Sequence, residues 1–255
     1  MKITFLGTGT SIGVPQIGCH CEVCTSCDPR DRRLRASALF KEGDTRILVD
    51  CGPDFRQQML ALGDYRPLDA VLITHEHYDH VGGIDDLRPY SYGRNLPLYA
   101  DSFCAEHLRQ RLPYCLVDNT YPGIPQLQLH EVAEGDRLQI GCLAVQVLRV
   151  EHGKLPILGY RIGDVAYLTD MTGLYPTSLP LLSGIRLLII GALRHTHHNT
   201  HQTVAEAIAF SRSLGNIPTY FIHMSHQVGL HAEQEKLLPK GFHYAYDGLE
   251  VTVEQ

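Results

Sequence analysis

Residues 74–80, THEHYDH, place His75, His77, Asp79 and His80 within six positions, directly after the apolar run AVLI. A packed core has no use for such a group, because each polar side chain buried without a partner costs about 1–3 kcal/mol. A metal centre would use all four. In an extended segment side chains two apart point the same way, so His75 and His77 can grip one ion together. Asp79 and His80 follow where the chain turns through HVGGIDDL and can point to a second ion. Two ions about 3.5–4 Å apart suit phosphate-ester hydrolysis, one activating water and both steadying the developing charge. A carboxylate must sit between them, and Asp170 is the candidate.

Two further groups carry chemistry. GCHCEVCTSC offers Cys19, Cys21, Cys24 and Cys27, and four soft ligands in a tetrahedron suit zinc. RHTHHNTHQTVAEA at 194–207 puts His201 at the opening of an expected helix, with Asn199 or Thr200 as its N-cap. A histidine there could protonate a leaving alkoxide, although a helix N-terminus lowers the pKa of a nearby imidazole and a carboxylate partner is needed. His195, His197 and His198 are expected at the surface or the pocket rim. Arg30, Arg32, Arg33 and Arg35 form the one dense basic run, suited to phosphate or simply solvated. GTGTSIG lacks a Walker lysine and reads as a tight turn. Cys51, Cys104, Cys115 and Cys142 lie among apolar residues and are expected in the core.

These groups need a rigid frame. The 255 residues are 44% hydrophobic, enough for a sizeable core, and are read as a single domain over 1–255 with the cysteine-rich, zinc-binding loop at 18–28. The net charge of −6 argues against a general polyanion binder, so nucleic acid is not the expected partner. Apolar runs such as 185–193 are far too short to cross a bilayer, and MKITFLGTGT does not read as a signal peptide, so a cytoplasmic location is the default. In that setting clustered cysteines suggest metal rather than disulfides. Short runs (KITFLG, SALFK, RILVDCG, AVLITH, PLYA, LAVQVLRV, LGYRI, VAYLTD, RLLIIG, PTYFIH, LEVTV) read as strands. PDFRQQMLALG, SFCAEHLRQRL, HQTVAEAIAFSRSLG and HAEQEKLL read as helices, the third ending at Gly215. The candidate ligands Asp50, His75, His152, Asp170 and His223 all fall just past strand ends, where one edge of a sheet can gather them.

The spacing His-x-His-x-Asp-His, with ILVDCG at 47–52, VEHG at 150–153, YLTD at 167–170 and FIHMSH at 221–226 in that order, resembles the metallo-β-lactamase superfamily over nearly the whole chain. The resemblance implies an α+β fold, a four-layer αββα sandwich, with a dinuclear site between the sheets. It implies His75, His77 and His152 for the first metal and Asp79, His80 and His223 for the second. Asp170 would bridge them, and Asp50 would orient a ligand from behind. GTGTSIGVPQIGCHCEVC followed by FIHMSH resembles the branch of the cyclic-phosphate phosphodiesterase of phosphonate breakdown, the PhnP-like branch. There three cysteines and a histidine hold a structural zinc, which implies Cys19, Cys21, Cys24 and His226, leaving Cys27 extra or as an alternative ligand. The same branch implies His201 as proton donor.

The expected function is metal-dependent hydrolysis of a small, cyclic phosphodiester through hydroxide held by two Mn²⁺ or Zn²⁺ ions, with Asp79, Asp170 and His201 in the catalytic centre. The substrate would be a small molecule, with no membrane partner, and the oligomeric state is left open, a homodimer included. Alternatives are a tRNA 3′-processing nuclease, for which no long inserted arm is evident, a lactonase or thioesterase, and a carrier of the pyrroloquinoline-quinone-biosynthesis type.

Overall fold

The computed structural model describes residues 1–116 and 123–254. The chain begins with β1 (Lys2–Gly7), β2 (Ser37–Glu42), β3 (Thr45–Val49), α1 (Phe55–Leu62), β4 (Ala70–Leu72), α2 (Tyr78–Val81), β5 (Leu96–Ala100) and α3 (Ser102–Arg111). It continues through β6 (Leu127–Glu131), β7 (Arg137–Ile140), β8 (Leu143–His152), β9 (Leu155–Ile162), β10 (Val165–Leu168), β11 (Gly173–Leu174) and β12 (Leu187–Gly191). It closes with α4 (Val204–Ser213), β13 (Thr219–Ile222), α5 (His231–Gln234), β14 (Phe242–Tyr244) and β15 (Glu250–Thr252).

These strands build two sheets. One runs β15-β1-β2-β3-β4-β5-β6, and the other runs β11-β8-β9-β10-β12-β13-β14 with β7 beside β8. In each, antiparallel hairpins give way to parallel pairs: β3 to β6 in the first sheet, β10 and β12 to β14 in the second. Parallel strands send their C-terminal ends to one side, and the loops there can meet.

Three apolar clusters separate four layers. Ile3, Phe5, Phe40 and Ile47 of the first sheet meet Val147, Tyr160, Tyr167 and Ile189 of the second. Leu39, Leu48 and Val71 face outward onto Phe55 and Met59 of α1 and Cys104 and Leu108 of α3. Leu188, Ile190 and Phe221 face outward onto Val204 and Ala207 of α4. Alternate residues of a strand feed opposite faces, so every central strand is apolar on both. This is the αββα sandwich. Among the described residues no helix is long and apolar enough to cross a membrane.

Several local expectations are corrected. The helix expected from His201 begins at Val204, because Thr203, not Asn199 or Thr200, is the N-cap: it forms a capping box with Glu206. HAEQEKLL yields one α-helical turn, α5, followed by a 3₁₀ turn at Glu235–Leu237. Cys51, Cys104 and Cys115 are buried, but Cys142 is exposed in the turn between β7 and β8. Strands β6, β7, β11 and β14 have no counterpart in the apolar runs. They are short or edge strands with little apolar content of their own.

Candidate metal centre

The dinuclear ligands expected from sequence converge at the C-terminal ends of strands. Asp50 follows β3, His75 and His77 follow β4, Asp170 follows β10, His223 follows β13, and His152 ends β8. Three of them leave the strand in the left-handed region: Asp50 at φ 60°, Asp170 at φ 52° and His223 at φ 57°. Asp, Asn and His tolerate that region better than other side chains, at a cost of order 1–3 kcal/mol. The turn swings each side chain off the strand direction and into the gap between the sheets.

Two glycines let the segments close up. A Cβ on Gly52 would overlap the Asp79 carbonyl oxygen, and one on Gly83 would overlap the Gly52 carbonyl oxygen. The turn α2 therefore docks directly on the loop after β3. Backbone bonds from Cys51 N to His80 O (2.8 Å) and from Gly83 N to Cys51 O (2.9 Å) hold it there.

The side chains form two donor groups. His75, His77 and His152 present ring nitrogens within 4.8 Å of one another, and Asp79, His80, Asp170 and His223 do likewise. Asp170 lies between them. Its Oδ1 is 3.4 Å from His80 Nε2 and 3.2 Å from His223 Nε2, and its Oδ2 is 3.9 Å from His75 Nε2 and 3.9 Å from His201 Nδ1.

Outer partners set the ring tautomers. His80 Nδ1 donates to Asp50 Oδ2 at 2.7 Å, and His152 Nδ1 donates to the Thr200 carbonyl at 2.8 Å. His80 Nε2 faces Asp79 Oδ2 (3.1 Å) and Asp170 Oδ1, with no hydrogen-bond partner of its own. Two carboxylates against this nitrogen call for positive charge between them, a ring proton or a bound cation. Burial alone would pull the His80 ring down, yet Asp79, Asp170 and Asp50 hold its pKa well above the ordinary imidazole value. Asp170 is held well below the carboxylate range by His223 and His80 against the opposing effect of burial. The centre thus prefers ionised carboxylates around positive charge. Histidine nitrogens with carboxylate oxygens fit Mn²⁺ or Zn²⁺, so the residues suit a divalent pair.

His201 is in the same place. Its ring stacks on His223 with centroids 5.0 Å apart and lies 4.8 Å from His152. The carboxylate near it, not identifiable in the sequence, is Asp170. Burial pushes its pKa down to about 3. The cause is enclosure rather than the helix start, because His201 precedes the Thr203 cap. Of its neighbours, His198 is also drawn in, with centroids 5.1 Å from His201, whereas His195 bonds the Val228 carbonyl and His197 is exposed. Three arginines of the basic run are committed elsewhere, and Arg32 is exposed. Arg30 pairs with Asp28 and Arg35 with Asp54, and Arg33 is buried against Thr8 Oγ1 and the Ala245 carbonyl.

The thiolate group is separate. His226 Nδ1 lies 3.3, 3.2 and 3.5 Å from the Sγ atoms of Cys19, Cys21 and Cys24. Zinc bonds of about 2.3 Å to sulfur and about 2.0 Å to nitrogen in a tetrahedron give ligand–ligand edges of about 3.5 Å, so these four atoms fit. Cys27 is exposed and is not one of the four. The Cys24 backbone N–H draws the Cys21 thiol down to about 6, while burial pushes Cys24 up to about 11. His226 lies three residues after His223, so this group ties the cysteine loop to the end of β13.

Sequence reasoning missed Thr74 and Thr200, which hold imidazoles rather than ions. A threonine before a histidine carries no spacing signal, and a backbone carbonyl carries none at all.

A family profile described as a Beta-lactamase superfamily domain matches residues 45–224. A diphosphatase of the PhnP family shares 38% identity with a TM-score of 0.90, covering 98% of this chain and 96% of its own. Zn²⁺-bound PqqB from Methylobacterium extorquens, at 22% identity and a TM-score of 0.77 over 99% of this chain and 100% of its own, shares the fold. A protein of Porphyromonas gingivalis (strain ATCC BAA-308 / W83) named octanoyltransferase is 47% identical over 257 residues, covering 100% of this chain and 52% of that protein. The chain spans about half the length of the first two curated relatives it matches.

Proposed function

The chain belongs to the Beta-lactamase superfamily, and we propose that it is a metal-dependent phosphodiesterase acting on a small, cyclic phosphodiester. In this reading His75, His77 and His152 hold one divalent ion, Asp79, His80 and His223 hold the other, and Asp170 bridges. Cys19, Cys21, Cys24 and His226 hold a structural zinc. The ions would supply Lewis acidity toward phosphoryl oxygens and an activated water.

One observation carries the reading: His201, an imidazole outside the two ligand sets, lies 3.9 Å from the oxygen of Asp170 that faces His75. Its ring also falls with His152 and Asp170 in a group whose ligand atoms could hold an ion, and in this reading it carries the proton instead. An anionic phosphoryl group brought beside the ring would favour its cationic form, opposing the effect of burial. The ring would then hold a proton for the departing alkoxide. His223, His152 and His198 surround the ring and fix its plane. The PhnP-family diphosphatase supports phosphorus as the centre attacked.

The test is hydrolysis of bis(p-nitrophenyl) phosphate with Mn²⁺. Wild type should turn over, and His201→Ala should lose little on this substrate, because p-nitrophenolate leaves without a proton, but much more on an alkyl cyclic phosphodiester. Equal effects on both substrates would remove His201 from the proton-donor role. A second reading rests on the octanoyltransferase-named relative. The same centre could attack a carbonyl, so octanoyl thioester hydrolysis belongs in the same assay. Thioester turnover with no phosphodiester turnover would replace the first reading.

A further inference from the structure

The two halves of the centre are built unequally. In the half made by Asp79, His80, Asp170 and His223, all four residues are buried, and two are carboxylates. In the other half, His75 and His152 are buried but His77 is exposed, and the three imidazoles share only the bridging Asp170, so this half has one carboxylate against two. Anionic donors shielded from water bind a divalent ion more strongly than neutral donors open to it.

The outer partners widen the gap through one carboxylate. Asp50 is fully buried and serves both halves. It accepts directly from His80 Nδ1 at 2.7 Å. It reaches His75 only through Thr74, whose Oγ1 lies 3.1 and 3.0 Å from the two Asp50 oxygens and 3.0 Å from His75 Nδ1. An ionised carboxylate only accepts, and a hydroxyl has one proton. The Thr74 hydroxyl therefore donates to Asp50 and accepts from His75 Nδ1–H. The Thr74 backbone N–H fixes the geometry with a 2.8 Å bond to Asp50 Oδ1. A carboxylate partner raises imidazole basicity more than a hydroxyl does, because its charge is full and adjacent.

Resting on the dinuclear reading above, we infer that the centre fills in order. The ion among Asp79, His80, Asp170 and His223 binds first and tightly. The ion among His75, His77 and His152 binds second and exchanges, with Thr74 as the positioning residue that sets its affinity. Phosphoester turnover then follows free metal concentration through the second ion alone, so the exposed half senses metal supply.

The test is a Mn²⁺ titration of the full chain after removal of the active-centre metal, with free Mn²⁺ read by electron paramagnetic resonance and turnover measured in parallel. Mn²⁺ is a hard ion and is not taken by the thiolate group. Wild type should bind two Mn²⁺ with dissociation constants at least tenfold apart, and turnover should track the weaker. His77→Ala should abolish only the weak step. Thr74→Val should raise the weak constant about tenfold and leave the tight one within twofold, and Thr74→Ser should restore wild-type values. Two equal constants in wild type would overturn the inference, as would loss of the tight step in His77→Ala or a Thr74→Val effect on the tight step or on neither. If Thr74→Val does not fold, the wild-type and His77→Ala titrations decide. Ordered binding without phosphodiester cleavage would sink the proposed substrate class and keep the order. Cleavage with two equal sites would do the reverse.

Discussion

Asp170→Asn isolates the bridging charge. Asp170 sits at φ 52°, a conformation that asparagine adopts readily, and the two side chains are nearly equal in volume, so neither backbone strain nor a cavity accompanies the change. Only the charge goes. The carboxylate is 2% exposed and lies 3.2–3.9 Å from four ring nitrogens, on His223, His80, His75 and His201. At about 4 Å and an effective dielectric of about 20, one unit charge is worth about 4 kcal/mol to a positive charge placed there. At 1.4 kcal/mol per tenfold, that corresponds to about a thousandfold. The expected outcome is a fall of about a thousandfold in kcat/KM for bis(p-nitrophenyl) phosphate at fixed, subsaturating Mn²⁺, with part of it recovered at high Mn²⁺. Circular dichroism should show an unchanged fold. A variant within tenfold of wild type at subsaturating metal would refute the argument, since Asp170 would then not bridge the two halves.

Tyr160→Phe should cost about 1–3 kcal/mol, because the buried Tyr160 hydroxyl donates to the Ile73 carbonyl at 2.6 Å and its removal leaves that carbonyl unpaired. At about 2–4 °C per kcal/mol a melting curve resolves it, and a loss below 0.5 °C would count against the bond. Burial pushes the Asp247 carboxyl up to about 6. The folded state therefore holds that proton more tightly than the unfolded chain, and the contribution favours folding below about pH 4 and is lost as pH rises through about 6, by up to about 3 kcal/mol. Unfolding free energies of wild type minus Asp247→Asn should shift in that direction between pH 4 and 7, and a flat difference would remove Asp247 as the cause. Cys21→Ser should lower bound zinc by one per chain and lower the melting temperature, while unchanged zinc content would show that Cys21 is not a ligand.

The chemistry-bearing residues were legible because ligand chemistry is local. His75, His77, Asp79 and His80 lie within one turn of chain, and Cys19, Cys21 and Cys24 within six residues, so short spacing alone presents them together. The central strands were legible for a similar reason. Strands buried on both faces carry unbroken apolar runs, such as ILV of β3 and LLII of β12, whereas β6 and β7 at the margins carry polar residues and leave no such trace. The start of α4 was misread because Asn199, Thr200 and Thr203 are all competent caps, and only Thr203 has Glu206 three residues on to close the box.

The chain order of the residues therefore determined which groups could bind ions and which runs could form the interior. Tertiary structure alone decided the rest. Asp170 stands between two histidine groups from distant strands, and His226 rather than Cys27 completes the thiolate set. Asp50 reaches His80 directly and His75 only through a hydroxyl. Each of these depends on contacts of under 4 Å between residues tens to hundreds of positions apart, and no local preference encodes such contacts. They arise when parallel strands of two sheets bring their C-terminal ends to one edge, and when Gly52 and Gly83 let the backbone there close without a side chain between.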